Sequence, residues 1–346
     1  MRNARLMKIS VALCTYNGSR YLQEQLDSIA AQTRRPDEIV ISDDASTDGT
    51  LETAERFAAT AAAEVHIVRG EQNIGSDKNF ERAIAKCSGD IIFLADQDDV
   101  WLPHKVERMM RGFDDPQVGM AFSNAKVVDA ELRPLGLPLW RWTFRAYDRK
   151  MFAEGRAAEV LLYYNVVTGA TMAFRRSLVS AALPIPKLTG MIHDGWISLI
   201  ASLTSRVAAV DEQLILYRQH DAQQLGVGHG QRDASRADQH RRIVEERLRA
   251  NERFDQFAEL FDEARLAAMR AAAPMPELVP DRRRLASMLE AARLRISLEI
   301  AHLQTRMNYP KLRIARIAPV LAELYSGRYY EFSRGGQSAL LDTIRK

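Results

Sequence analysis

The chain has 346 residues, 47% of them hydrophobic and 27% charged, with a formal net charge of +3 at pH 7. That composition argues against extensive disorder, and so small a positive excess does not imply nucleic-acid binding, so no nucleic-acid partner is expected. No apolar run approaches the roughly 18 residues of a membrane span, Met1 to Lys8 lacks the apolar segment of a secretory signal, and Cys14 and Cys87 lie in apolar surroundings, so a cytoplasmic protein with reduced, buried thiols is expected.

In chain order, Lys8 to Cys14 reads as a first strand, the polar Thr15-Tyr16-Asn17-Gly18 as its end, and Arg20 to Gln32 as a helix. The pattern then repeats. Glu38 to Ser42 is a second strand, Asp43 to Gly49 a loop rich in helix-capping residues, and Thr50 to Ala61 a helix. Val65 to Arg69 is a third strand, Asn73 to Ser76 a loop, Asp77 to Lys86 a helix, and Asp90 to Leu94 a fourth strand. Short apolar strands alternating with helices predict an α/β fold with a mostly parallel sheet and right-handed crossovers, so the polar strand-end loops converge on one edge. Beyond Trp101 the expected elements are a helix from Pro103 to Phe113, a strand Val118 to Ser123, an irregular aromatic stretch Leu139 to Phe144 and a strand Val166 to Phe174. From about Ala234 the chain reads as helices, with an imperfect apolar stripe of Val244, Leu248, Phe254, Phe257 and Phe261. Ala271 to Pro280, with three prolines, reads as a linker. The domain division expected is 1–230, with a first half to about 123 and a second from 124, followed by a helical region 231–346.

The most informative stretch follows the fourth strand. Asp96-Gln97-Asp98-Asp99 sets three carboxylates in four residues at the carboxyl end of an apolar strand, the edge where open α/β sheets bind ligands. Carboxylates so close repel unless protonated or bridged by a cation, and magnesium-type sites use one or two of them, leaving the other positions to water and substrate phosphates. The turn therefore predicts a divalent cation and a diphosphate substrate.

Five segments in order, Val11 to Gly18, Asp43-Asp44 with Ser46 and Asp48, Asn73-Ile74-Gly75, Asp96 to Trp101, and His193-Asp194-Gly195-Trp196, together resemble the inverting glycosyltransferase family 2, with its GT-A fold. The likeness runs from Lys8 to Asp221, and Leu216 to His220 resembles the branch described as rhamnosyltransferases of bacterial surface polysaccharide (O-antigen) assembly. The resemblance implies a donor pocket of Thr15, Tyr16, Asn17, Asp43, Asp44, Asn73, Gly75, Lys78 and Asp96, with Asp43 favoured for the base. Asp43, Asp44, Ser46 and Asp48 are equally able to cap a helix, and Asn73 and Gly75 to make a turn. It implies Asp98 as direct ligand of Mg2+ or Mn2+, Asp96 on the ribose or reaching the metal through water, and His220 as a further ligand or diphosphate contact, beside a purely structural alternative for that histidine.

Asp194 is the implied general base, or a helix cap, or both; His193 stands where many relatives carry glutamate and is not expected to be catalytic. Asp99, Trp101, Gly169, Ala170 and Trp196 are implied on the acceptor side. Asp99 can instead engage Lys105, Trp101 can pack beneath the turn, and Gly169 can mark a bulge in a core strand. The activity implied is transfer of a sugar, L-rhamnose from dTDP-rhamnose or a hexose or N-acetylhexosamine from a UDP-linked donor, to a hydroxyl of a glycan or lipid-linked glycan. Nucleotidyl transfer to a sugar phosphate and non-catalytic nucleotide-sugar binding are the competing classes. The basic and aromatic residues from Lys311 onward, among them Arg313, Arg316, Arg328, Tyr329, Tyr330, Arg334, Arg345 and Lys346, fit peripheral contact with the inner membrane or packing on the same chain or a second copy in a homo-oligomer.

Overall fold

Every residue of Ile9–Thr15 (β1) is buried, as befits an apolar run without alternation at the centre of a sheet covered on both faces. The structure, a computed structural model, describes residues 7–221, 236–310, 312–333 and 336–344. Glu38–Asp43 (β2) and Ile91–Asp96 (β4) flank β1 in parallel, and Glu64–Arg69 (β3) pairs in parallel with β2. Helices Leu22–Ala30, Thr50–Ala58 and Ser76–Lys86 make the crossovers. Each buries positions at helical spacing: Leu22, Gln25, Leu26 and Ile29 in the first, Asn79, Phe80, Ala83 and Ile84 in the third. Cys14 and Cys87 are free and buried, and burial raises both thiol pKa values, that of Cys87 to about 12.

Strand register positions the site. Thr15 pairs with Asp43 and Cys14 with Asp96, so the loops after β1, β2 and β4 leave the sheet side by side at the edge where strand order reverses.

The second half adds Val100–Trp101 (β5), Val118–Val128 (β6), Pro134–Pro138 (β7), Met172–Arg175 (β8) and Arg206–Arg218 (β9). The sheet order is β3-β2-β1-β4-β8-β6-β9-β5, with β7 on β6. β8 runs antiparallel to both β4 and β6, while β9 is parallel to β6. The strand expected from Val166 is shorter than its sequence suggested. Thr171 donates its N–H (2.8 Å) and hydroxyl (2.7 Å) to the Thr168 carbonyl, which winds Gly169–Thr171 into a 3-10 turn and starts the strand only at Met172. In the aromatic stretch Trp140–Thr143 forms a helical turn, and Phe144 packs edge-on against Trp140, Phe122 and Phe152.

The chain divides into two compact units, Met1–Val227 with Phe261–Asp281, and Gly228–Leu260 with Arg282–Lys346. The expected linker is built into the first unit: the Met275 N–H donates to the Thr204 carbonyl at 2.9 Å, and Val279 is buried. In the second unit Arg247 and Glu299 form a buried ion pair at 2.5 Å, His302 meets Glu323 at 2.6 Å, and Arg306 and Tyr329 meet Asp342 at 2.6 and 2.7 Å. Phe254 and Phe257 of the expected stripe are buried, whereas Leu248 is exposed. Of the basic and aromatic residues near the end of the chain, Tyr329 is buried, Tyr330 is exposed, Arg316 donates to the Pro310 carbonyl at 2.5 Å and Arg328 to Glu323 at 2.8 Å. Lys311, Arg334, Arg345, Lys346 and the side chain of Arg313 lie outside the described residues. Among the described residues no helix is long and apolar enough to cross a membrane.

Phe93 lies fully buried at the centre of β4, its ring 5.8 Å from that of Trp101. Truncation to alanine removes the packing beneath the acidic turn. Phe93→Ala is expected to lower stability by about 3–5 kcal/mol, read from the denaturant midpoint.

Candidate active site

A cavity of about 650 Å3 opens at the carboxyl edge of the sheet, lined among others by Thr15, Tyr16, Asp44, Asn73, Gly75, Asp96, Gln97, Asp98, Gly169, His193, Asp194 and Tyr217. Residues from both halves of the sheet therefore face one space. Tyr16, half exposed, is fixed there because Gln97 accepts from its N–H at 2.8 Å and donates to its carbonyl at 3.0 Å. That pair ties the loop after β1 to the acidic turn.

The two aspartates after β2 have different duties. Asp43 is fully buried and accepts from the Thr15 hydroxyl (2.7 Å) and from the N–H (2.9 Å) and hydroxyl (2.6 Å) of Ser46. Asp44, not the favoured Asp43, lines the cavity, and its carboxylate accepts from the N–H groups of Ile74 and Gly75, both at 2.9 Å. Gly75 has φ of 84°, a left-handed conformation that glycine adopts without strain. Lys78 donates to Glu81 (2.8 Å) and the Ile185 carbonyl (2.9 Å) and is not among the lining residues. Asn17 likewise lies outside the lining and accepts from the Thr47 N–H at 2.9 Å.

In the acidic turn, Asp96 and Asp98 line the cavity, and Asp98 Oδ2 lies 2.8 Å from His220 Nε2. Asp99 points inward instead. It is fully buried, accepts from the Arg218 N–H at 2.9 Å through one oxygen, and has no hydrogen bond to the other among the described residues. Burial first, then the charges of Asp98 and Asp96, raise its pKa; burial and the Asp98 charge likewise raise that of Asp96. Arg218, two residues before His220, is a buried clasp: its side chain donates to the carbonyls of Asp98 (2.6 Å) and Ala130 and to Glu24. Lys105 is the buried ammonium nearby, donating to the Ala170 carbonyl at 2.6 Å and standing 3.8 Å from the Trp101 ring centroid. Burial pulls its pKa down to about 7 against the opposing charges of Asp99 and Asp96.

The donor set suits a hard divalent cation. Asp98 and His220 lie together and offer an oxygen and a nitrogen, with Asp96 lining the same cavity, although the ligand atoms of these three do not all lie within 4.8 Å of one another. The crowding of Asp96 and Asp98 is the kind that a bound cation relieves. Two protein donors lying together leave positions open to phosphate oxygens and water, as magnesium prefers. A separate three-residue group among the described residues, Glu38, Glu64 and His66, lies on β2 and β3 away from the cavity lining, with Lys8 3.9 Å from both glutamates.

Asp194 enters from the first turn of the helix His193–Thr204. Its oxygens accept from Asn165 Nδ2 (3.0 Å) and the N–H groups of Gly195 (2.6 Å) and Gly169 (3.0 Å). Burial raises its pKa, opposed by the His193 charge and those N–H donors. The helix's N-cap is Ile192, without a side-chain cap, so Asp194 is a first-turn acid facing the cavity rather than the cap itself. Asn165 carried no motif in the sequence and is brought to Asp194 by the fold. Four of the five expected acceptor-side residues, Asp99, Trp101, Ala170 and Trp196, are buried outside the cavity lining. Trp196 is fully buried, stacked on Phe261 at 5.6 Å and donating to the Ala182 carbonyl at 2.7 Å, and Trp101 is buried under the acidic turn. Ala170 is also buried and presents its carbonyl to Lys105, whereas Gly169 lines the cavity.

Residues 10–181 match the protein family described as Glycosyl transferase family 2. The chain is 27% identical over 225 residues to an uncharacterized glycosyltransferase of Nostoc sp., which spans 62% of this chain and 66% of that one. It is 37% identical over 99 residues to the dTDP-rhamnosyl transferase RfbG of Shigella flexneri, covering 28% and 34%. The chain thus spans less than two thirds of the length of these curated relatives. Its fold is similar to the crystal structure of S. aureus TarS 1-349 in complex with UDP-GlcNAc, with a TM-score of 0.55 and 16% identity over 98% of this chain and 88% of that one. The architecture is that of the GT-A fold with a helical C-terminal region.

Lys105→Met leaves the Ala170 carbonyl without its donor, and buried Asp99 and half-buried Asp96 without a nearby cation. A loss of about 1–3 kcal/mol in stability is expected, part of it recovered by adding Asp99→Asn. Equal losses in the two backgrounds, measured by urea unfolding, would show that Lys105 and Asp99 are not coupled.

Proposed function

Because residues 10–181 match glycosyl transferase family 2, we propose that the chain transfers a sugar from a nucleoside diphosphate donor to an acceptor hydroxyl with inversion at the anomeric carbon. The observation that carries this reading is that Asp96 and Asp98, from the acidic turn, and Asp194, from the helix His193–Thr204, line the same cavity. The donor's base and ribose lie along Thr15, Tyr16, Asp44 and Asn73, with Asp43 bracing that loop from beneath. Asp98, with Asp96 and His220, is the site for Mg2+ or Mn2+. A cation there would stabilise the negative charge that develops on the leaving diphosphate.

Asp194 faces the reacting centre. As the acceptor oxygen bonds to the anomeric carbon, the bond from that carbon to the diphosphate oxygen breaks and its electron pair leaves with the diphosphate, while the hydroxyl proton passes to the Asp194 carboxylate. One carboxylate suffices, since the leaving group is stabilised by charge rather than by a second acid. The N–H groups of Gly169 and Gly195 and the amide of Asn165 keep the carboxylate oriented.

The dTDP-rhamnosyl transferase among the relatives supports L-rhamnose as the sugar and dTDP as the carrier. A UDP-linked hexose or N-acetylhexosamine is the second reading, supported by the UDP-GlcNAc complex of a protein with this fold. The acceptor is a glycan or lipid-linked glycan hydroxyl. The exposed row Ile317, Leu321 and Tyr325, beside the basic residues of the last helices, supports peripheral contact with the cytoplasmic face of a membrane.

Asp98→Asn is expected to abolish metal-dependent donor turnover, while Asp194→Asn leaves donor binding nearly intact and lowers transfer by at least about a hundredfold. Normal transfer by the Asp194 variant would remove it from the mechanism. A thermal-shift panel of UDP, dTDP and GDP with and without manganese or magnesium tests the carrier: metal-dependent stabilisation by dTDP supports rhamnose, and stabilisation by UDP alone supports the second reading.

A further inference from the structure

His193 is buried beside the proposed base, and its ring is held from two sides. The His193 N–H (2.9 Å) and Nδ1 (3.1 Å) both meet Asp77 Oδ1 at the start of the helix Ser76–Lys86. A carboxylate oxygen only accepts, so Nδ1 carries a proton. Phe80, one turn along the same helix, stacks on the imidazole at 4.1 Å with planes 22° apart. The other nitrogen, Nε2, is directed at Gly169: a Cβ on that glycine would lie 3.2 Å from Nε2 and 3.7 Å from Asp194 Oδ2. The absence of a side chain at Gly169 lets imidazole and carboxylate both approach one point in the cavity wall.

We propose that Asp77 and His193 form a positioning pair for the proposed base, in which His193, kept as an imidazolium by Asp77, is the cation that holds the Asp194 carboxylate ionised inside a buried site. The inference rests on Asp194 being the base. The charged groups facing His193 are Asp77 from the helix Ser76–Lys86, Asp96 from β4 and Asp194 from its own helix. Burial opposes the imidazolium, but the Asp77 hydrogen bond and the charges of Asp194, Asp96 and Asp77 outweigh it and raise its pKa. His193 keeps its proton throughout the transfer; the proton that moves goes from the acceptor hydroxyl to Asp194. This gives a role to a histidine that the sequence alone left without one.

Removing a cation near a buried carboxyl raises the carboxyl's pKa, so the base becomes available only at higher pH. In His193→Gln the acidic limb of kcat/KM for transfer should move up by about one pH unit, roughly a tenfold loss at a pH below the limb relative to the variant's own plateau. Asp77→Asn should move it in the same direction by less, and His193→Asn, which retains an amide near Asp77, serves if the glutamine variant does not fold. A residue that only packs would lower the plateau and leave the limb in place. An unmoved limb in the His193 and Asp77 variants, with Asp194→Asn inactive, overturns the inference and spares the base; transfer by Asp194→Asn overturns the base itself.

Discussion

The structure turns on the crowding of three carboxylates at the end of β4. Asp96, Asp98 and Asp99 occupy one four-residue turn, and like charges at that spacing are unfavourable in a buried site. The fold does not disperse them. Arg218 holds the turn's backbone from β9, Lys105 stands behind it bonded to the Ala170 carbonyl, and Gln97 fastens it to the loop after β1. With the turn fixed in this way, Asp99 faces the interior while Asp96 and Asp98 face the cavity. In the proposed reading, this charged surface would receive a cation that arrives with an anionic substrate.

The other wall of the cavity obeys the opposite rule. Asp194 is a single carboxylate among N–H donors at a helix start, where the helix dipole and hydrogen bonds favour the ionised form against burial. The two walls are linked through one short segment. The residue whose carbonyl receives Lys105 is Ala170, and its neighbour Gly169 donates to Asp194. Lys105 and Asp194 thus meet adjacent residues of one 3-10 turn.

The first half of the fold was legible because buried parallel strands are written as unbroken apolar runs, and β1, β2 and β4 are such runs ended by Thr15, Asp43 and Asp96. The acidic turn was legible for the same reason, since three acids after an apolar strand have few structural explanations. The second half was less so. β8 is four residues long and antiparallel, and no periodicity announces a strand of that length. The roles of paired residues were also hidden. Asp43 and Asp44 differ by one position along the chain, and alternation of side chains at a strand end sends one beneath the loop and the other to the cavity. Trp196 sits two residues after Asp194 on a helix, which turns it to the opposite face and into the core. The Asp77 contact of His193 joins residues 116 apart in sequence, beyond the reach of any local pattern.

The central claim is that a cation bound at Asp98 and a proton acceptor at Asp194 serve the same bond. The most direct test is the crystal structure of the protein with manganese and a non-hydrolysable nucleoside diphosphate sugar, with the metal located by its anomalous scattering. The account predicts manganese coordinated by Asp98 and the diphosphate, with the anomeric carbon turned toward Asp194. Manganese at Glu38, Glu64 and His66 alone, or a sugar whose anomeric carbon faces away from Asp194, would contradict it.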